Sequence, residues 1–342
     1  MDIEREGPPL PTPRGPLSAA VAAYLLGTGL PPAPGTVGAA PAYGDDLQLA
    51  LYLCYEPHYR GFAGVSPALE WDPALLLFRA ALEDRFLSAL RADARVHGEV
   101  ADAVGDLLVE PADGTGVSHF LSDGGERWQV REYAAQRSLY HLKEADPHAW
   151  VLPRLRGRAK AGMAAVEFDE YGGGRAERVH ARLFAELMTD LDLDPAYGRY
   201  LDAASAECLA TVNLMSLCGL HRSLRGALVG HFAAVEITSS PGSRRLARAM
   251  RRTGAGPAAE RFYDEHVEAD AVHEQIVRHE VIGGLLDEEP WLAPDVVFGL
   301  DATGHLEDRF GARLLADWRA GRSSLRTPLP GDGPPSGPSG GP

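Results

Sequence analysis

Cysteine is scarce in this sequence. There are three in 342 residues, Cys54, Cys208 and Cys218, far apart and odd in number, and no CxxC pair occurs. That excludes zinc-ribbon, thioredoxin-like and disulfide-framework designs and fits a reducing, cytoplasmic setting. Positive charge is also short: 33 Lys and Arg stand against 48 Asp and Glu, for a net charge of −15. A nucleic-acid partner is therefore not expected. The nearest basic cluster, Arg244, Arg245, Arg248, Arg251 and Arg252, spreads round much of a helix and reads as a solvated face. No apolar run approaches the ~18 residues a membrane span needs, because Asn213, His221 and Arg222 interrupt the longest candidates. The opening MDIEREGPPLPTPRG is acidic and proline-rich, with no basic segment ahead of an apolar one, so it does not read as a signal peptide. The expectation is a soluble protein.

Strand signals are essentially missing, as are P-loop, Rossmann and HExxH motifs, and GPSGG in the Pro/Gly-rich tail, which matches GxSxG, has no strand ahead of it. The glycines at 172–174 lack the preceding strand that a dinucleotide site requires. What the sequence does have is helical periodicity. Apolar residues recur at three-and-four spacing near 17–27, 45–56, 73–94, 98–108, 126–144, 154–170, 175–190, 204–237, 243–252, 258–280 and 307–319. Breaks are expected at Asp146-Pro147, Gly172 to Gly174, Asp194-Pro195, Ser240-Pro241-Gly242 and Gly254 to Pro257. The fold class is all-α: residues 1–15 disordered, a helical extension over 16–120, a bundle over 121–320, and a disordered Pro/Gly-rich tail over 328–342. A weak boundary falls near Pro111–Gly116.

Within FYDEHVEADAVHEQ, His266, Asp270 and His273 stand at i, i+4 and i+7. On a helix these positions lie within about 60° of one another and rise roughly 10 Å in all. Two imidazoles and a carboxylate on one stripe suit iron or manganese better than a structural zinc; a polar surface stripe is the bland alternative. Glu236 ends an apolar run, ALVGHFAAVEITSS, where a carboxylate costs several kcal/mol unless paired or metal-bound. Glu170 and His180 flank the triple glycine and would sit ~15 Å apart on a straight helix; the glycines can break it and turn both side chains inward. Glu144 closes RSLYHLKEAD. Helix bundles that bind two irons draw such donors from several helices.

The order Glu144, Glu170, His180, Glu236, His266, Asp270, His273, with HxxxDxxH at its end, resembles the haem-oxygenase-like di-iron oxidase family of iron-containing redox enzymes. EYGGGR, NLMSLCGLHR and YDEHVEADAVHE are similar to one branch of it. The likeness covers roughly residues 125–300, and residues 45–110 match that branch alone. The resemblance implies a haem-oxygenase-like bundle of about seven core helices holding two Fe, with O2 as co-substrate and Mn as the other candidate metal. It further implies Glu170, His180, Glu236 and His266 at one iron, and Asp270, His273 and Glu144 at the other, with one carboxylate bridging. The implied activity is an O2-activating oxidase or oxygenase acting on an amine, amino acid or fatty-acid-like small molecule in secondary metabolism. An external reductant and a homodimer stay open as partners.

Two other readings compete. A haem-binding or haem-degrading protein of the same architecture needs a proximal histidine early in the bundle and room for a porphyrin, which central carboxylates oppose. A non-catalytic helical scaffold would leave the seven donors as solvated charges. Glu56 and His58, beside Pro57, read as packing or helix-end residues. His148, His221 and His231 read as ordinary loop or core histidines that could hydrogen-bond a ligand carboxylate.

Overall fold

Helices start at proline, which lacks the N–H that would go unbonded there, or behind polar side chains that accept from the first free backbone N–H groups. Asp72 caps one helix by accepting from the Leu75 N–H at 2.9 Å, and Ser205 caps another by accepting from Cys208. Glu126 and Gln129 form a reciprocal capping box. The computed structural model describes residues 7–38, 40–95, 97–110 and 114–329, and not the side chains of Glu268, Asp270 and Ala271. In chain order the helices are α1 (Pro16–Leu25), α2 (Asp45–Tyr55), α3 (Pro73–Asp93), α4 (Val100–Leu108), α5 (Val117–Asp123), α6 (Arg127–His141) and α7 (Asp146–Ala149). They continue with α8 (Gly157–Glu170), α9 (His180–Asp190), α10 (Ala206–Leu220), α11 (Arg225–Thr253), α12 (Pro257–Ile276), α13 (Gly283–Glu288) and α14 (Ala293–Arg319). No described residue is in a strand, so the all-α expectation holds. Among the described residues no helix is long and apolar enough to cross a membrane.

The bundle is organised round α11, which packs against α12 on one side and α14 on the other. The α11–α14 crossing is close because glycine meets backbone from both sides. A Cβ at Gly230 would collide with the Val296 carbonyl, and one at Gly299 with the Ala227 carbonyl. Helices α1 to α4 do not stand apart: Leu17, Leu51, Phe78 and Val104 belong to the same buried apolar cluster as Phe232, Val296 and Phe310. Apolar burial at roughly 25 cal/mol per Å² makes this shared core the main source of cohesion.

Several expected boundaries move. The expected break at Ser240-Pro241-Gly242 does not occur, and α11 runs through Pro241. Packing on both flanks overrides the lost backbone donor, while Thr238 and Ser239 bond back to the carbonyls of Ala234 and Glu236. The single helix expected over 204–237 is instead two, broken at His221 to Leu224. Helix α14 begins fourteen residues ahead of the expected 307, and α5 carries too short an apolar pattern to be foreseen. A π-helical segment, Val277–Ile282, follows α12. Residues 7–15 are not loose as their composition suggests. The Thr12 N–H donates to Asp202 at 2.8 Å and the Arg14 guanidinium donates to the Leu201 carbonyl at 2.7 Å. At the other end, Leu329 is buried. Residues 1–6, 111–113 and 330–342, on which the rest of the terminal and boundary expectations fall, lie outside the described residues.

Candidate metal centre

The glycines at 172–174 decide how two donors meet. All three have positive φ, 74°, 61° and 77°, a region open to glycine at no steric penalty. They end the helix at Glu170, and two short 3-10 turns carry the chain to His180, so Glu170 is the last residue of α8 and His180 the first of α9. His180 Nδ1 then lies 2.7 Å from Glu170 Oε2. The ~15 Å of a straight helix has been folded away.

Glu144 enters from the turn after α6, and His266 and His273 from the inner face of α12. Glu236 comes from the middle of α11, not from a helix end as its sequence context suggests. All six are in or beside the core. The donor atoms form two groups. Glu144, Glu170, His180 and His266 each offer one atom within 4.8 Å of the others, and so do Glu170, Glu236 and His273. Glu170 belongs to both. This grouping differs from the partition implied by the resemblance: Glu144 sits with His180 and His266, and Glu236 sits with His273. The physical reason is the α11–α12 pairing, which sets Glu236 Oε2 3.1 Å from His273 Nδ1. Asp270 is on α12 between the two histidines, and its side chain lies outside the described residues.

The atoms are left in the condition a cation would relieve. His266 Nδ1 donates to the Phe262 carbonyl at 2.7 Å, since a carbonyl only accepts; this fixes the tautomer and leaves the Nε2 lone pair facing the group. His266 Nε2, His180 Nδ1 and Glu170 Oε2 are all buried without a hydrogen-bond partner among the described residues. Buried unpaired polar atoms each cost about 1–3 kcal/mol. Burial, then the charge of Glu144, pushes Glu170 up to about 8. Burial likewise lifts Glu236 to about 7, against the pull of its hydrogen bond with His273. Burial opposes the charged forms of Glu144 and His273 as well, and there their partners win. His141, His266 and His180 hold Glu144 down at about 2, while Glu236, Glu170 and Asp169 raise His273 to about 9. Carboxylates and imidazoles crowded this way match the mixed oxygen and nitrogen donor set of iron or manganese.

Three residues here escape sequence reading. His141 Nδ1 is 3.0 Å from Glu144 Oε2, and its one sequence trace is the three-residue spacing to Glu144. Asp169 Oδ2 is 3.3 Å from His273 Nε2. Glu167, one turn before Glu170 on α8, is buried with neither carboxyl oxygen hydrogen-bonded among the described residues, and burial together with Glu170 and Glu236 pushes it up to about 9. The histidines set aside earlier stay outside the two groups. His231 faces Thr303 at 2.8 Å, His221 faces Glu83 at 3.0 Å, and His148 packs on Phe232. Four of the carboxylate and imidazole donors (Glu144, Glu170, Glu236 and His266) line one end of a cavity of about 600 Å³. Its wall carries Arg137, held at 2.9 Å by Glu307, and the buried Tyr263 hydroxyl, which has no hydrogen-bond partner among the described residues.

A family model described as "Iron-containing redox enzyme" matches residues 131–308, just over half of the chain. The match runs from α6 into α14 and spans every donor in both groups. No curated protein matches this chain.

Proposed function

This chain belongs to the iron-containing redox enzyme family, and we propose that it is a non-haem di-iron, O2-dependent oxidoreductase acting on a small molecule. The observation that carries the reading is Glu170, the one carboxylate among the described residues common to two donor groups. A shared carboxylate is what a metal pair ~3.5–4 Å apart needs as its bridge. One ion would be held by Glu144, Glu170, His180 and His266. The second would be held by Glu170, Glu236 and His273, with Asp270 assigned to it on its helical spacing. Ferrous iron at these positions supplies electron transfer to O2, and manganese suits the same donors.

The chain's own residues do the rest. The Phe262 carbonyl keeps His266 in the tautomer that presents Nε2. Phe184 and Phe262 pack edge-on beside His141 and keep that side of the group dry. The cavity lets a substrate reach Glu144 and His266, and the Arg137–Glu307 pair on its wall offers donors and acceptors to a polar head group. An amine, amino acid or fatty-acid-like substrate of secondary metabolism fits a cavity of this size and lining. An external reductant and a cytoplasmic setting belong to the same reading. A scaffold would gain nothing from burying three acids and leaving their neighbours unpaired, and a porphyrin would have to displace the same carboxylates.

Anaerobic loading with Fe(II) tests the proposal. About two irons per chain are expected, with binding lost in the His266→Ala, His273→Ala double variant. Stoichiometry near zero, or no loss in that variant, would overturn it.

A further inference from the structure

Directly beside Glu144 a full charge is buried where charge is unfavourable. Lys143 is 2% exposed and Glu56 is fully buried, with Nζ 2.6 Å from Glu56 Oε2. The Tyr197 hydroxyl donates to Glu56 Oε1 at 2.7 Å, and the Arg60 N–H donates to the same oxygen at 3.4 Å. The ammonium also faces the rings of Tyr59 at 4.5 Å and Tyr52 at 4.6 Å. A lysine is tolerated in such a place only when paired and surrounded in this way.

Two side chains hold the turn that follows. Arg60 reaches the Leu142 carbonyl at 3.5 Å, and the Tyr171 hydroxyl donates to Asp146 at 3.0 Å. Between them Ala145 has φ 76°, a conformation that a residue with a Cβ keeps only when its surroundings over-determine it. Glu144 is the residue this turn presents. Tyr52, Glu56, Tyr59 and Arg60 all lie upstream of residue 131, outside the segment that matches the family model.

We propose that the Glu56–Lys143 pair positions Glu144: residues 52–60 clamp the strained turn after α6 so that the Glu144 carboxylate is aimed at His266 and His180. The N-terminal segment is then a working part of the metal-binding unit, and Glu56 and Lys143 are positioning residues. The inference rests on the reading of Glu144 as a metal donor.

The test is an anaerobic Fe(II) titration of the full chain as Lys143→Met and Glu56→Gln, with folding followed by far-UV circular dichroism. The wild type should bind two ions. In both variants one of the two should weaken tenfold or more while the other, held by Glu170, Glu236 and His273, keeps its affinity. A merely structural role would weaken both ions alike or neither, and either result overturns the proposal. Should Lys143→Met fail to fold, Tyr197→Phe, which removes one hydrogen bond from Glu56, must show a smaller shift of the same single ion. If the wild type binds no iron, the di-iron reading fails and this inference falls with it. Two ions bound equally well by wild type and variants refute the positioning role alone.

Discussion

His180 Nδ1 and Glu170 Oε2 approach to 2.7 Å, yet both are buried and neither is hydrogen-bonded among the described residues. Two helix ends have been brought together by three left-handed glycines, and the contact they make is incomplete without a third participant. A metal ion satisfies both atoms at once, and the consequences can be measured.

The two groups share Glu170 but not Glu236. Glu170→Ala is expected to reduce iron stoichiometry from about two to near zero, whereas Glu236→Ala should leave about one ion bound at the Glu144 group. Metal analysis after anaerobic loading distinguishes them. Equal losses in the two variants would mean the grouping is wrong.

His141 holds Glu144 through a 3.0 Å contact and packs at a tilt against the Phe184 ring. Partners that orient a ligand are worth about 10–100-fold in metal affinity. His141→Ala is therefore expected to weaken iron binding within that range without unfolding the chain. Isothermal titration against wild type checks it, and unchanged affinity would assign His141 to packing alone.

Stability of the metal-free protein should fall with rising pH. Glu167, Glu170 and Glu236 keep their protons to about 9, 8 and 7 in the folded chain, against an ordinary carboxyl value of 4.5. The folded state thus binds more protons than the unfolded one above pH 4.5, and stability declines as pH climbs through those values. His273, raised to about 9 from 6.5, adds stability below its unfolded value that is lost over the same upper range. Glu144 contributes the opposite way, losing its share only as pH falls toward 2. Melting temperatures of chelator-treated protein should drop between about pH 6 and 9, and iron-loaded protein should show a much flatter profile. A flat profile for the chelated protein would contradict this account.

Gly299→Ala places a methyl group against the Ala227 carbonyl where α14 crosses α11. Overpacking of this kind costs about 1–3 kcal/mol, and backbone on both sides leaves little room to yield. Urea unfolding should show a lower midpoint with an unchanged slope. No change would mean that the two helices slide apart easily.

Much of the molecule was legible before any coordinates. Three-and-four periodicity marks most of the helices because their buried faces repeat at the helical period, and it failed where short or fully buried segments blur that period, as in α5 and the first half of α14. Pro241 shows the limit of local rules: its sequence context spells a break, and packing against α12 and α14 keeps the helix whole. The order of the donors was legible because His266 and His273 share a stripe whatever else the chain does. Their grouping was not, since it depends on which helices lie side by side. His141, Asp169 and Glu167 were invisible for the same reason.

By itself, the sequence determined that the chain is helical, that it carries a net charge of −15 and three scattered cysteines, and that carboxylates and histidines recur at helix spacing. These follow from composition and local periodicity, which act over a few residues. Only the tertiary structure decided that Glu170 and His180 meet across the glycine break, that Glu170 serves both donor groups, and that Glu56, eighty-seven residues upstream, clamps the lysine next to Glu144. Those relations join residues far apart in the chain. They exist because burying one apolar core forces particular helices together, and the polar side chains caught between them must then find partners.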